Sequence, residues 1–191
     1  EAHSIDTSTF LAVTNFLAEG KLEVGESAVK ISLETVIAYL KNAHHYFLSN
    51  KLPFIRTKLQ AAIENIYEQN SYKVVLLQFF DEYVVEVKKH MEYEDRIVFP
   101  YVLNLLKGKI NKKYKIADFE EHHTDVDSKL AELKNILIKY HPEQSVNYLL
   151  NDVLFDLLLC EKDLETHNIV EDYFFVPYVE SIERSISKTS I

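Results

Sequence analysis

Apolar residues recur in steps of three and four along four long segments, and this spacing constrains the fold more than any other feature of the chain. Such alternation places the apolar side chains on one face of an α-helix, which packs against neighbouring helices. The predicted helices span residues 28–68, 72–106, 116–140 and 144–185. Four such helices with short connections predict an all-α fold, the antiparallel up-down four-helix bundle.

The chain is poor in the residues that end helices. Its 191 residues include three glycines and four prolines, which favours a few long helices over many short strands. Pro53, Pro100 and Pro177 lie inside predicted helices and predict bends, because proline lacks a backbone N–H and its ring crowds the preceding turn. The predicted organisation is a leader with a short amphipathic helix at 1–27, the bundle at 28–185 and a tail at 186–191.

Charge, cysteine content and hydropathy exclude several classes of protein. The formal net charge of −9 disfavours a general nucleic-acid-binding surface, because a duplex would be repelled. The one basic stretch, KGKINKKYK at 107–115, is typical of a solvated connection. A single cysteine, Cys160, excludes an intrachain disulfide and fits a reducing compartment, and no apolar run approaches the roughly 20 residues of a membrane span. We therefore predict a cytoplasmic protein that binds neither nucleic acid nor membranes.

Two thirteen-residue stretches repeat each other 77 positions apart: HMEYEDRIVFPYV at 90–102 and HNIVEDYFFVPYV at 167–179. Each begins with a histidine followed four residues later by a glutamate, and both residues fall on the predicted apolar face. The four-residue spacing puts both side chains on one side of the helix, so both can reach one centre. On the first and third helices, His45 and His123 occupy the corresponding face.

Six polar side chains therefore point into the predicted bundle. They are His45, His90, Glu94, His123, His167 and Glu171. Burying one such group without a partner costs about 2–7 kcal/mol, so six would exceed the whole stability of a domain, about 5–15 kcal/mol. They must hydrogen-bond to one another or bind metal, and the repeated histidine–glutamate pattern favours metal. Six ligands exceed the usual four of zinc and suit two irons better.

The chain resembles the hemerythrin-like superfamily over about residues 30–180, and most closely the di-iron proteins of iron–sulfur cluster repair. The matching stretches are HHYFLSNKLPFI at 44–55, HMEYEDRIVFP at 90–100, FEEHHTDVDSKL at 119–130 and HNIVEDYFFVP at 167–177. In that family each of four helices gives a histidine to a non-haem di-iron centre, and two HxxxE glutamates bridge the metals. The resemblance implies two non-haem iron ions, with oxo and carboxylate bridges, held by His45, His90, Glu94, His167, Glu171 and one of His122 or His123.

Two ligand positions have alternates. His123 lies on the apolar face of the third helix, whereas the 77-residue offset pairs His45 with His122. Asp172 competes with Glu171 for the bridging position, because oxygen-carrying hemerythrins use HxxxxD on the fourth helix. The repeat and the apolar face both favour Glu171.

The resemblance implies a role in the nitrosative and oxidative stress response. Such a protein would help to repair damaged iron–sulfur clusters, with iron–sulfur proteins as clients, by donating iron or by binding or reducing nitric oxide. The alternatives are a sensor or carrier of O2 or NO without turnover and a metal-free interaction domain. No nucleophile or acid–base constellation stands out beside the metal ligands, which disfavours a hydrolase.

Overall fold

Every regular element is helical in the computed structural model, which describes residues 5–20, 30–64, 70–109, 111, 114–120, 125–139 and 148–189. The α-helices of these ranges are α1 Thr7–Glu19, α2 Leu33–Tyr46, α3 Leu52–Glu64, α4 Asn70–Tyr93, α5 Phe99–Leu106, α6 Ala117–Glu120, α7 Asp125–Lys139, α8 Tyr148–Val170 and α9 Val176–Thr189. The prediction of an all-α protein is confirmed for the described residues.

Within the described residues, three turns of π-helix connect consecutive α-helices without a break in the chain's helical path. They are the first π turn, Phe47–Lys51, the second, Glu94–Val98, and the third, Glu171–Phe175. Each ends two residues before one of Pro53, Pro100 and Pro177. A proline ring clashes with the carbonyl four residues back in an α-helix. A π turn, whose bonds reach five residues back, widens the backbone at the place where that clash would arise.

The π turns change which side chains are buried. Each turn inserts one residue into the helix, so the buried face moves by one position beyond it. Steps of three and four from His90 and Glu94 place Ile97 on the buried face, but Ile97 is 47% exposed and Val98 is buried instead. Beyond the third π turn Tyr178 is half-buried, and Val179 takes the fully buried position. An α-helical count carried across a π turn is therefore one residue out of register on its far side.

The first of two compact units comprises Glu1–Ala43, Glu94–Glu120 and Glu165–Ile191. In its core the rings of Phe99 and Phe175 pack edge to face, with centroids 5.5 Å apart. Glu183 of α9 accepts hydrogen bonds from the Tyr101 hydroxyl and from the Ile116 backbone N–H. These two bonds tie α9 to α5 and to the chain just before α6.

The second compact unit comprises His44–Tyr93 and Glu121–Leu164. Its fully buried side chains include Leu59, Phe80, Tyr83, Leu133 and Leu157. Arg56 of α3 forms a two-pronged ion pair with Asp81 of α4, and Lys58 pairs with Asp156 of α8. Partly exposed ion pairs of this kind contribute at most about 1 kcal/mol each. The apolar side chains therefore supply most of the stability of this unit.

The predicted leader helix is present as α1 and belongs to the first compact unit. It begins after Asp6, whose carboxylate accepts hydrogen bonds from the Thr9 backbone N–H and the Ser8 hydroxyl. These bonds lower the pKa of Asp6. The helix ends at Gly20, which adopts the left-handed conformation that glycine tolerates best (φ 67°). The proposed boundary at residue 27 lies outside the described residues.

No helix in the described part of the chain combines the length and the apolar character that a membrane crossing requires.

Cys160 of α8 is fully buried on the apolar face of that helix. Burial raises the pKa of its thiol to about 12, well above the roughly 8.5 of a free cysteine. We expect no reaction with a thiol reagent until the protein unfolds.

Because the folded state keeps the thiol proton to a higher pH than the unfolded state, the free energy of unfolding should fall as pH rises from about 8.5 towards 12. Urea unfolding of wild type and Cys160→Ala across this range checks the slope, which the variant should reduce; equal slopes would contradict the assignment.

Candidate metal centre

Two glutamates begin two of the π turns, and both are fully buried. Glu94 is the first residue of the second π turn and Glu171 the first residue of the third. His167 lies one helical turn before Glu171 and is also buried. Its Nε2 atom is 3.2 Å from Oε1 of Glu171 and 4.0 Å from Oε2 of Glu94. Each half of the sequence repeat thus contributes a carboxylate to one small volume.

His44 is the fourth buried member of this cluster. One potential ligand atom from each of His44, Glu94, His167 and Glu171 lies within 4.8 Å of all the others. The donors are two imidazole nitrogens and two carboxylates, with no thiolate. This set suits iron, zinc or manganese and disfavours copper(I) or an iron–sulfur cluster, which prefer sulfur.

The structure places His44, and not the predicted His45, in the cluster. His45 is exposed, and its Nδ1 lies 3.2 Å from the Ser49 hydroxyl oxygen. The sequence prediction placed His45 at the head of an apolar face that continues in α-helical steps through Leu48 and Leu52. The first π turn lies between these residues and adds one position, so the buried face before it continues through Phe47 and His44.

A protein-family model, the hemerythrin HHE cation-binding domain, matches residues 35–179 of the chain. The chain belongs to this family. The matched range contains all four residues of the buried cluster, and it confirms the resemblance to the hemerythrin-like superfamily. No curated protein and no solved structure gives a significant match.

The remaining predicted ligands of this hemerythrin domain fall into three groups. His90 is half-buried and is not among the four residues that the described structure brings together. Asp172, the alternate to Glu171, lies in the third π turn and is exposed. His122 and His123 lie outside the described residues.

The donor set fits the cation-binding role of the family. Two buried carboxylates this close repel each other unless protons or a cation neutralise them, and removing charges from water is itself costly. A divalent cation with two imidazole ligands supplies the opposite charge and occupies the acceptor oxygens at the same time. The cluster therefore has the composition and the burial of a metal centre.

Sequence reasoning missed the π turns, although a signal for them was present. The two repeated stretches both place a proline six residues after the glutamate, at Pro100 and Pro177. A proline there cannot continue an α-helix without distortion. π turns occur frequently at functional sites, and here two of them begin at a cluster glutamate.

Proposed function

We propose that this hemerythrin domain is a four-helix-bundle, non-haem di-iron protein that helps to repair damaged iron–sulfur clusters under nitrosative and oxidative stress. The observation that supports it is the burial of two carboxylates and two imidazoles within 4.8 Å of one another. Each carboxylate has two oxygens and can bridge two cations, while each histidine binds one. In this proposal His90 and one of His122 or His123 complete the ligand set.

The burial of the cluster favours small molecules as its external ligands. His44 and His167 are each 2% exposed, and Glu94 and Glu171 are fully buried. A bulky substrate could not reach these donors without displacing a helix. Two bound irons would supply redox chemistry and open coordination positions suited to diatomic molecules such as nitric oxide and dioxygen.

The protein side chains would then have defined tasks. The carboxylates neutralise the metal charge, the imidazoles hold the metals against the helices, and the apolar side chains around them exclude water. Release of iron to an iron–sulfur client requires that at least one of these helices open. Residues next to the π turns are the first candidates for such opening, because a π turn interrupts the regular α-helical hydrogen bonds.

The first test is metal analysis of protein purified anaerobically with iron supplied. We expect about two irons per chain in the wild type. His44→Ala should lose at least half of the iron because a buried ligand disappears, whereas His45→Ala should keep it because that side chain is exposed. These neighbouring substitutions are chemically identical, so each controls for the other. Zinc in place of iron, or equal occupancy in both variants, would contradict the proposal.

Assays of iron transfer and of gas binding distinguish a repair protein from a sensor or carrier. A repair protein should deliver iron from its loaded form to an apo iron–sulfur protein and restore the absorbance of its cluster. Stable, reversible binding of O2 or NO with no iron transfer would instead favour a sensor or carrier.

A further inference from the structure

The N-terminal helix is fastened to the start of α2 by two hydrogen bonds. The Asp6 backbone N–H donates to the Thr35 hydroxyl oxygen at 3.0 Å, and the Ser32 backbone N–H donates to the Thr9 hydroxyl oxygen at 2.8 Å. Thr9 is fully buried and Thr35 is 8% exposed. Buried hydrogen bonds that use a backbone donor and a side-chain acceptor fix one segment relative to another. The first turn of α1 is thus held in one position on α2.

At its other end, α1 packs against the third π turn. The ring of Phe16 lies 4.9 Å from the ring of Tyr173 and 5.3 Å from that of Phe174, in an edge-on arrangement with the latter. Tyr173 and Phe174 follow Glu171 within the same five-residue turn. Aromatic pairs at these distances contribute about 0.5–1.5 kcal/mol each beyond their buried area.

A π turn needs this kind of external support. It is a rare interruption of the α-helical hydrogen-bond pattern, and the inserted residue can move along the chain to a neighbouring turn. Migration towards the N-terminus would rotate Glu171 about the helix axis and carry its carboxylate away from His167. Phe174 is fully buried in this register, and Phe16 packs directly on its ring.

We propose that α1 is a brace for the metal centre and that Phe16 is a positioning residue, which holds the third π turn in the register that directs Glu171 at the metal. The inference rests on the metal-binding function proposed above. It assigns a role in metal affinity to a helix that the sequence separated from the bundle as a leader.

Phe10 of the same helix provides a matched control. It is 50% exposed, whereas Thr9 and Val13 of the same helix are buried. Phe10→Ala removes the same atoms from the same helix without touching the ring cluster at the π turn. Phe16→Tyr keeps the aromatic ring and should behave as wild type. Phe16→Leu keeps most of the apolar volume, so it can be measured even if Phe16→Ala fails to fold.

The experiment measures Fe(II) affinity by chelator competition and amide hydrogen exchange of residues 171–176 in the metal-free, full-length protein. Changes in residues that orient metal ligands typically cost 10–100-fold in affinity. We expect Phe16→Ala to weaken iron binding at least tenfold and to speed exchange in the π turn by a similar factor. Phe16→Leu should show a smaller change of the same kind, and Phe10→Ala should show neither.

Two outcomes separate the brace from simple packing and from failure of the metal proposal. If Phe16→Ala lowers the melting temperatures of metal-free and loaded protein equally, with unchanged affinity and unchanged exchange at 171–176, the positioning role is overturned. If the wild type binds no iron, the proposed function fails. The exchange rates of the metal-free variants would still support or overturn the brace.

Discussion

Glu171→Gln is expected to remove the stabilisation that iron gives this protein, while leaving the metal-free protein at least as stable as the wild type. The substitution keeps the size of a fully buried side chain but removes the charge that a metal requires. In the metal-free state it also removes the repulsion between two buried carboxylates, Glu94 and Glu171, whose ligand atoms lie within 4.8 Å. Removing this one charge therefore lowers the stability of the protein in the presence of iron, but does not lower the stability of the metal-free protein.

The expected size follows from mass action. A ligand present at 1,000 times its Kd stabilises the folded state by about 4 kcal/mol. In a domain of this length each kcal/mol shifts the melting temperature by roughly 2–4 °C, so iron should raise the wild-type Tm by roughly 8–16 °C. Differential scanning calorimetry of each protein with and without anaerobic Fe(II) measures this difference, which should fall close to zero in Glu171→Gln.

The neighbouring residue supplies the control. Asp172 carries the same charge in the same π turn but is exposed, so Asp172→Asn should retain the full iron-dependent shift. A shift that survives in Glu171→Gln and disappears in Asp172→Asn would show that the exposed carboxylate is the ligand. It would also mean that the π turn has a different register in solution.

Helical periodicity predicted the buried faces wherever the α-helix is uninterrupted. In α8 the face that steps of three and four define is buried without exception, at Leu150, Val153, Leu157, Cys160, Leu164 and His167. Hydrophobic burial and the 3.6-residue repeat are sufficient here, because each side chain's direction depends only on the count along one helix. For the same reason the sequence indicated that Glu94 and Glu171, the first residues of two π turns, are buried.

Beyond a π turn the same count fails. A single inserted residue rotates everything that follows by about 100°, which is enough to exchange a buried position for an exposed one. This one effect explains why Ile97 is exposed and why His44 replaces His45. A proline in the sequence indicates that the helix is distorted, but the sequence alone does not determine whether the helix bends, breaks or widens. The packing of Phe16 on the third π turn was also beyond prediction, because it depends on tertiary contacts between residues far apart in sequence.

Leu157→Ala and Leu158→Ala test the register of α8, the helix that carries His167. Both faces of this helix are apolar here, so composition cannot tell which leucine is inside. Leu157 is fully buried and Leu158 is 49% exposed. Truncating a buried leucine to alanine costs about 2–5 kcal/mol, whereas an exposed substitution usually changes stability by less than about 0.5 kcal/mol.

Urea unfolding of the metal-free protein should therefore show a large loss for Leu157→Ala and little change for Leu158→Ala. Leaving iron out of the experiment separates the packing of α8 from metal binding. The reverse order would mean that α8 is rotated by about 100°. Because Leu157 and His167 share one face of the same uninterrupted helix, that rotation would also take His167 away from Glu94. The stabilities of two leucine variants can thus disprove the geometry of the metal centre.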